Sequence, residues 1–205
     1  MKDVDIQKLI DYHCQAYLMD GNTFQQVYEE ITTFAFWLKG FQPHNILEVG
    51  FKGATFHIFS QLSTGKKVAV DIDDDWRSTV SHFMMYDEEF KFFQGNSQSI
   101  EMREKVQEFC PKYDLIFIDG DHSYDGVKKD FELYKGLLSD RGYVVFHDID
   151  PDHVFADNYG GQVYKFWMDL NYGVKTNIVT TRSSGKVSTH GQSEHFGGIG
   201  LWRPQ

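Results

Sequence analysis

The chain has 205 residues, a formal net charge of −10, four prolines and two cysteines, and 16% of its residues are aromatic. That length supports one large core rather than two full domains, and the acidic balance, with no basic stripe to offset it, argues against a nucleic-acid partner. Cys14 and Cys110 are too few for a disulfide framework and read as buried thiols; without a membrane-length apolar run or a signal-like amino terminus, a soluble cytoplasmic protein with no membrane partner is expected.

In chain order, residues 4 to 19 place Ile6, Leu9, Ile10, His13, Tyr17 and Leu18 at helical spacing, and residues 23 to 39 do the same with Phe24, Val27, Ile31, Phe34 and Trp37. Asp20, Gly21 and Asn22 punctuate the pair, and Gly40 is expected to end the second helix. Both precede the first strand, so residues 1–40 read as an N-terminal helical extension and residues 41–205 as the sheet domain. Such an extension serves as a lid, as the surface of a homodimer, or as cover for an apolar sheet face.

Asn45 to Val49 forms the first expected strand, followed by a turn over Gly50, Phe51, Lys52, Gly53 and Ala54 and a helix from Thr55 to Leu62. Lys67 to Val70 is the second strand and ends in Asp71, Ile72, Asp73 and Asp74. Glycines let the backbone approach a ligand, a helix N-terminus offers free N–H groups, and an acidic residue at the end of strand two accepts from ribose hydroxyls. The full dinucleotide glycine spacing is absent, so the weight rests on the strand-turn-helix context and on Asp71 arriving 21 residues after Gly50.

A helix is expected over Trp76 to Met85, a strand over Phe90 to Phe93, and a helix starting at Ser97 or Ser99 and running through Val106 and Phe109. Leu115 to Ile118 is a continuous apolar run, the pattern of a parallel strand covered on both faces. It turns abruptly into Asp119, Gly120, Asp121 and His122, then into a helix with Tyr124, Val127, Phe131, Tyr134 and Leu137 on one face. Gly142 to Phe146 is the fifth strand and ends in His147 and Asp148. A helix over 160–170, a strand over Val174 to Thr180, a polar loop over Ser183 to Gln192 and a last strand over Gly197 to Trp202 complete the chain. The alternation predicts a mostly parallel sheet with helices on both faces, closed by an antiparallel hairpin.

Carboxylates and imidazoles therefore gather at the ends of two strands, where open α/β sheets bind ligands. If the strands are neighbours, Asp119 and Asp148 supply oxygen ligands suited to magnesium, and a histidine in the shell shifts preference toward manganese, iron, cobalt or zinc. The alternative is that Asp119 and Asp121 cap the following helix and His122 satisfies a backbone carbonyl.

The motifs ILEVG with its glycine loop, VAVDID, FFQGNS, YDLIFIDGDHSYDGVKKDF and LLSDRGYVVFHDI resemble those of class I S-adenosylmethionine-dependent methyltransferases, specifically the metal-dependent small-molecule O-methyltransferases. The likeness is to the branch that holds macrolide and sugar O-methyltransferases and proteins named cephalosporin hydroxylases, and it runs from Asn45 to Ile149. It implies a Rossmann-like, doubly wound α/β fold with a seven-stranded mixed sheet of order 3-2-1-4-5-7-6, the last strand antiparallel. By position it implies that Glu48, Gly50, Lys52, Gly53 and Ala54 border the methionine half of S-adenosylmethionine. Asp71 would hold the ribose, and Asn96 and Ser97 the adenine. Asp119 would stand between cofactor and metal, Asp119, His147 and Asp148 would hold Mg2+ or Mn2+, and His122 would be the general base. His147 stands where the antibiotic-modifying branch has an acid, and Ile149 where catechol-type enzymes have an asparagine.

The implied reaction is methyl transfer to a hydroxyl of a small molecule, a sugar or polyketide-like acceptor first and a catechol stacked on Trp37 or Trp167 second. The N-terminal helices and the 150–160 and Ser183 to His195 loops are expected to shape the acceptor pocket. Two rivals are weighed beside it. One is a non-haem iron oxygenase with a two-histidine, one-carboxylate triad drawn from Asp119, Asp148, His122 and His147; the other is a non-catalytic S-adenosylmethionine-binding protein.

Overall fold

In the computed structural model of the protein the described residues are 4–19, 28–51, 53–73, 87–151, 162–178 and 197–205. The expected helix over Trp76 to Met85 and most of the two loops assigned to the acceptor pocket lie outside them, as does Lys52. The helices are α1 (Ile6–Met19), α2 (Tyr28–Phe41), α3 (Ala54–Gln61), α4 (Ile100–Phe109), α5 (Tyr124–Tyr134) and α6 (Val163–Asp169). The strands are β1 (Ile46–Val49), β2 (Lys67–Asp71), β3 (Phe90–Gln94), β4 (Tyr113–Ile118), β5 (Leu138–Phe146), β6 (Val174–Ile178) and β7 (Ile199–Arg203).

They form one seven-stranded sheet of order β3-β2-β1-β4-β5-β7-β6. The first five strands pair in parallel, and β7 runs antiparallel to both β5 and β6. This is the doubly wound Rossmann-like order that the resemblance implied. β1 and β4 lie side by side at the centre, buried at every position. Their mostly apolar sequences, interrupted by Glu48 in β1 and Asp114 in β4, follow from having a helical layer on each face.

Alternate residues of β4 enter different layers. Ile116 and Ile118 join Val127, Phe131, Phe146 and Trp202 in one core, beneath α4, α5 and α6. Leu115 and Phe117 join Ile6, Ile10, Ile31, Phe34 and Leu38 in the other, beneath α1, α2 and α3. The N-terminal helices are thus cover for an apolar sheet face. Phe34 is fully buried and meets the rings of Trp37, Phe59 and Phe117. Trp37, half-buried, stacks on Phe34 and Phe41, and Trp167 is buried against Phe146 with its Nε1 donating to Asn177.

Several boundaries differ from the sequence reading. α2 runs through Gly40 to Phe41, and the left-handed residue that ends it is Gln42, with φ 54°. β5 begins at Leu138 rather than Gly142, because its register against β4 is irregular between Tyr113 and Leu115 and so accommodates extra extended chain. Of the two candidate caps for α4, Ser99 is the one used: its hydroxyl accepts from the Met102 N–H at 3.1 Å.

Candidate functional site

β1 ends at Gly50, whose φ of +89° and close passage over the Asp119 carbonyl leave no room for a Cβ. The neighbouring turn is tied down by Asp71 at the tip of β2: its Oδ2 accepts from the Phe51 N–H at 2.7 Å and its Oδ1 from the Asp73 N–H at 2.8 Å. Each oxygen keeps lone-pair capacity for a further donor. A cleft of about 490 Å³ opens here, lined by Gly50, Asp71, Ile72, Asn96, Asp119 and Gly120 among others. Ile72, 74% exposed at its rim, was not singled out in the sequence.

The other residues assigned to this cleft are brought to it unequally. Gly53 has φ +74° and starts α3, which no side chain caps. Glu48 is buried, accepts from the Thr55 hydroxyl at 2.7 Å through Oε1, and has no hydrogen-bond partner for Oε2 among the described residues. Burial drives its pKa well above the usual carboxylate range, partly offset by the Thr55 hydrogen bond. Asn96 Oδ1 accepts from the Gln98 N–H at 2.9 Å. Ser97 lines the cleft but donates its hydroxyl to Asp130 Oδ1 at 2.8 Å, which leaves it an acceptor toward any ligand. Burial pushes Asp130 up to about 6.

At the tips of β4 and β5 the acidic and imidazole side chains meet. His122 Nε2 lies 3.1 Å from Asp119 Oδ1 and its Nδ1 3.4 Å from Asp148 Oδ2. His147 Nδ1 lies 3.3 Å from both Asp119 Oδ1 and Asp148 Oδ1. Asp148 reaches inward from a left-handed backbone, φ 62°, a conformation that aspartate tolerates better than most residues. Asp119, His122 and Asp148 each offer a ligand atom within 4.8 Å of the others, so two carboxylates and one imidazole can close on one cation. His147 sits behind them, its Nε2 facing Glu30 of α2 at 3.4 Å. Glu30 had no place in the sequence reading. A glutamate in the first turn of a helix ordinarily reads as a solvated charge favoured by the helix dipole, and no local pattern separates it from Glu29.

Helix capping does not account for the cluster. α5 is capped by Ser123, which accepts from the Gly126 N–H at 3.1 Å, and Asp121 holds the Ser123 N–H in turn. Asp119 takes no part in this. Burial opposes ionisation of Asp119, but the His147 charge and hydrogen bonds from His122 and His147 outweigh it and hold the group below the usual range. For His122, burial favours the neutral ring, yet the Asp119 hydrogen bond and the Asp119 and Asp148 charges raise its pKa to about 9.

A pH dependence follows, with its sign. A histidine raised from 6.5 to about 9 on folding contributes stability that is complete below pH 6.5 and lost as pH rises through about 9. The side chain is 40% exposed, so water screens part of the interaction. Urea denaturation in chelator is expected to show stability declining between pH 6.5 and 9, with a flatter decline in His122→Gln. An unchanged slope in the variant would remove His122 as the cause.

Comparison with known proteins gives these features a context. The chain is similar over its length to the O-methyltransferase TomG from Streptomyces achromogenes, solved with SAM, at 17% identity and a TM-score of 0.68, covering 97% of this chain and 90% of that one. It is also similar to an O-methyltransferase from Bacillus cereus solved with SAH, at 14% identity and a TM-score of 0.65, covering 99% and 93%. A curated relative, the Uncharacterized protein y4gI of Sinorhizobium fredii, is 27% identical over 152 residues, which is 67% of this chain; the chain spans only 16% of that protein's length. The sequence family described as "Methyltransferase domain" matches residues 47–149, the span that carries β1 through the β5 tip with the cleft and the acidic cluster, and the chain belongs to that family.

Proposed function

We propose that the protein transfers a methyl group from S-adenosylmethionine to a hydroxyl oxygen of a small molecule, with a divalent cation at Asp119 and Asp148 and His122 as the base. The observation that carries the reading is the double position of Asp119, which lines the cleft and also belongs to the cation-ready cluster. Methyl donor and oxygen acceptor must meet within a bond length or two, and a shared wall between their sites is what that chemistry needs. The complex of TomG with SAM and its role in tomaymycin synthesis support a small-molecule acceptor.

The residues present fit both groups. Gly50 lines the cleft with no side chain of its own, and the remaining lone pairs of Asp71 suit two ribose hydroxyls. Asp119 and Asp148 would supply carboxylate oxygens of net charge −2, suited to Mg2+ or Mn2+, with the His122 ring beside them and left uncoordinated as the base. When bound, S-adenosylmethionine supplies an electrophilic methyl on a good leaving group, and a divalent cation supplies charge that favours an oxyanion. Asp71 would fix the ribose, and Asp119 would face the acceptor. As the methyl leaves the sulfur for the acceptor oxygen, His122 would take up the hydroxyl proton. His122 can accept it only in the neutral form, so in the metal-free site its raised pKa works against catalysis near neutrality; a cation that neutralises the two carboxylates relieves that pull.

The test is anaerobic incubation with S-adenosylmethionine, Mg2+ or Mn2+ and a pool of hydroxylated small molecules, read by mass. A gain of one methylene unit that chelator suppresses supports the proposal. An oxygen-dependent gain of one oxygen atom with added iron would move the protein to the oxygenases, and cofactor binding without product across the pool would make it a binding protein. Asp71→Ala is expected to weaken S-adenosylhomocysteine binding by about 1.5–3 kcal/mol, the scale of charge-assisted hydrogen bonds, in calorimetry. An unchanged affinity would place the ribose elsewhere.

A further inference from the structure

From the N-terminal helical layer, the Glu30 carboxylate on α2 reaches the strand tips. It is almost wholly enclosed: the Glu30 and His147 side chains are 2% and 5% exposed. Glu30 Oε2 accepts from the Gly198 N–H at 2.7 Å. Glu30 Oε1 and His147 Nε2 face each other at 3.4 Å, and neither has a hydrogen-bond partner among the described residues. The socket is built of backbone that only glycine suits. Gly197 and Gly198 have φ of +107° and +83°, and a Cβ on Gly197 would stand 2.6 Å from Glu30 Oε1. The same two glycines accept, through their carbonyls, from the Ile149 and Asp150 N–H groups, directly after Asp148. Three distant segments, α2, the β5 tip and the entry to β7, therefore close around one carboxylate.

We infer that Glu30 is a positioning residue for the cation site: it fixes the His147 ring through Nε2, so that Nδ1 holds the Asp119 and Asp148 carboxylates in place. Two polar atoms buried against each other, with no other partner among the described residues, satisfy one another, and leaving either alone is costly. Outer partners of this kind orient the groups that bind a metal, and their loss typically costs about 10- to 100-fold in metal affinity. The inference rests on the proposed reading for the cation, but the ring contact stands without it.

Glu30→Gln keeps the volume of the side chain and cannot accept from both the Gly198 N–H and a His147 Nε2–H, so it separates the contact from packing; Glu30→Ala is the larger perturbation. In metal-free, 15N-histidine-labelled full-length protein, the His147 ring resonances are expected to shift in Glu30→Gln, with loss of an exchange-protected Nε2–H. Mn2+ alone, titrated by electron paramagnetic resonance, is expected to bind about 10- to 100-fold more weakly to the variant, while S-adenosylhomocysteine affinity stays within about twofold. Gly197→Ala, which crowds Glu30 Oε1, is expected to reproduce the ring shift. If Glu30→Gln leaves the His147 resonances as in the wild type, the inference is overturned. Should the wild type bind no Mn2+, the metal part of the proposed function fails, and the ring resonances alone decide this inference: shifted, it stands; unshifted, it falls.

Discussion

Asp119→Ala is expected to abolish methyl transfer and to destabilise the fold by about 3–5 kcal/mol, the usual consequence of removing one partner from a buried charge pair. Asp119 Oδ1 lies against both His122 Nε2 and His147 Nδ1, and its side chain is 7% exposed. Without it, His147 loses one of the two carboxylates that offset its burial and raise its pKa well above the ordinary value, and the proposed cation site loses one of two oxygen donors. Urea denaturation at pH 7 measures the first effect and product mass the second. Asp119→Asn keeps the shape and removes the charge, so it should retain more stability than the alanine variant and still lack activity. Activity within a few fold of wild type in either variant would exclude Asp119 from the chemistry.

Gly50→Ala is the second large effect. The backbone there is left-handed, and the added methyl would enter the space of the Asp119 carbonyl, which cannot yield because it belongs to the β4 tip paired beside β1. Left-handed strain costs about 1–3 kcal/mol and a rigid overpacking about 1–3 kcal/mol more. Chemical denaturation is expected to show a loss in that combined range, together with weaker S-adenosylhomocysteine binding as the cleft floor shifts. Gly40→Ala is the control: nothing lies within 4 Å of its Cβ and it sits inside α2, so alanine should stabilise by about 0.5–1 kcal/mol. Equal losses at both positions would mean that general glycine flexibility, rather than the crossing at Asp119, sets the result.

The sequence by itself determined the elements and the chemistry at their ends. Leu115 to Ile118 reads as a buried parallel strand because apolar continuity is a local record of cover on both faces. The turn at Gly50, the acid at Asp71 and the carboxylates after β4 and β5 are likewise legible, since strand ends are marked by abrupt changes in polarity. The strand order came from resemblance, not from periodicity, because hydrophobic pattern identifies a strand without naming its neighbour. Only the tertiary structure decided which side chains share a site. It set His122, rather than His147, in the three-residue group with Asp119 and Asp148, because the β4–α5 turn carries His122 across to the β5 tip. It turned Ser97 toward Asp130, and it made the N-terminal helices a sheet layer that delivers Glu30 to His147. Glu30 and Gly198 are far apart along the chain, and a contact between them leaves no periodic trace in either segment. Close packing of the layer against the strand tips is what brings them together.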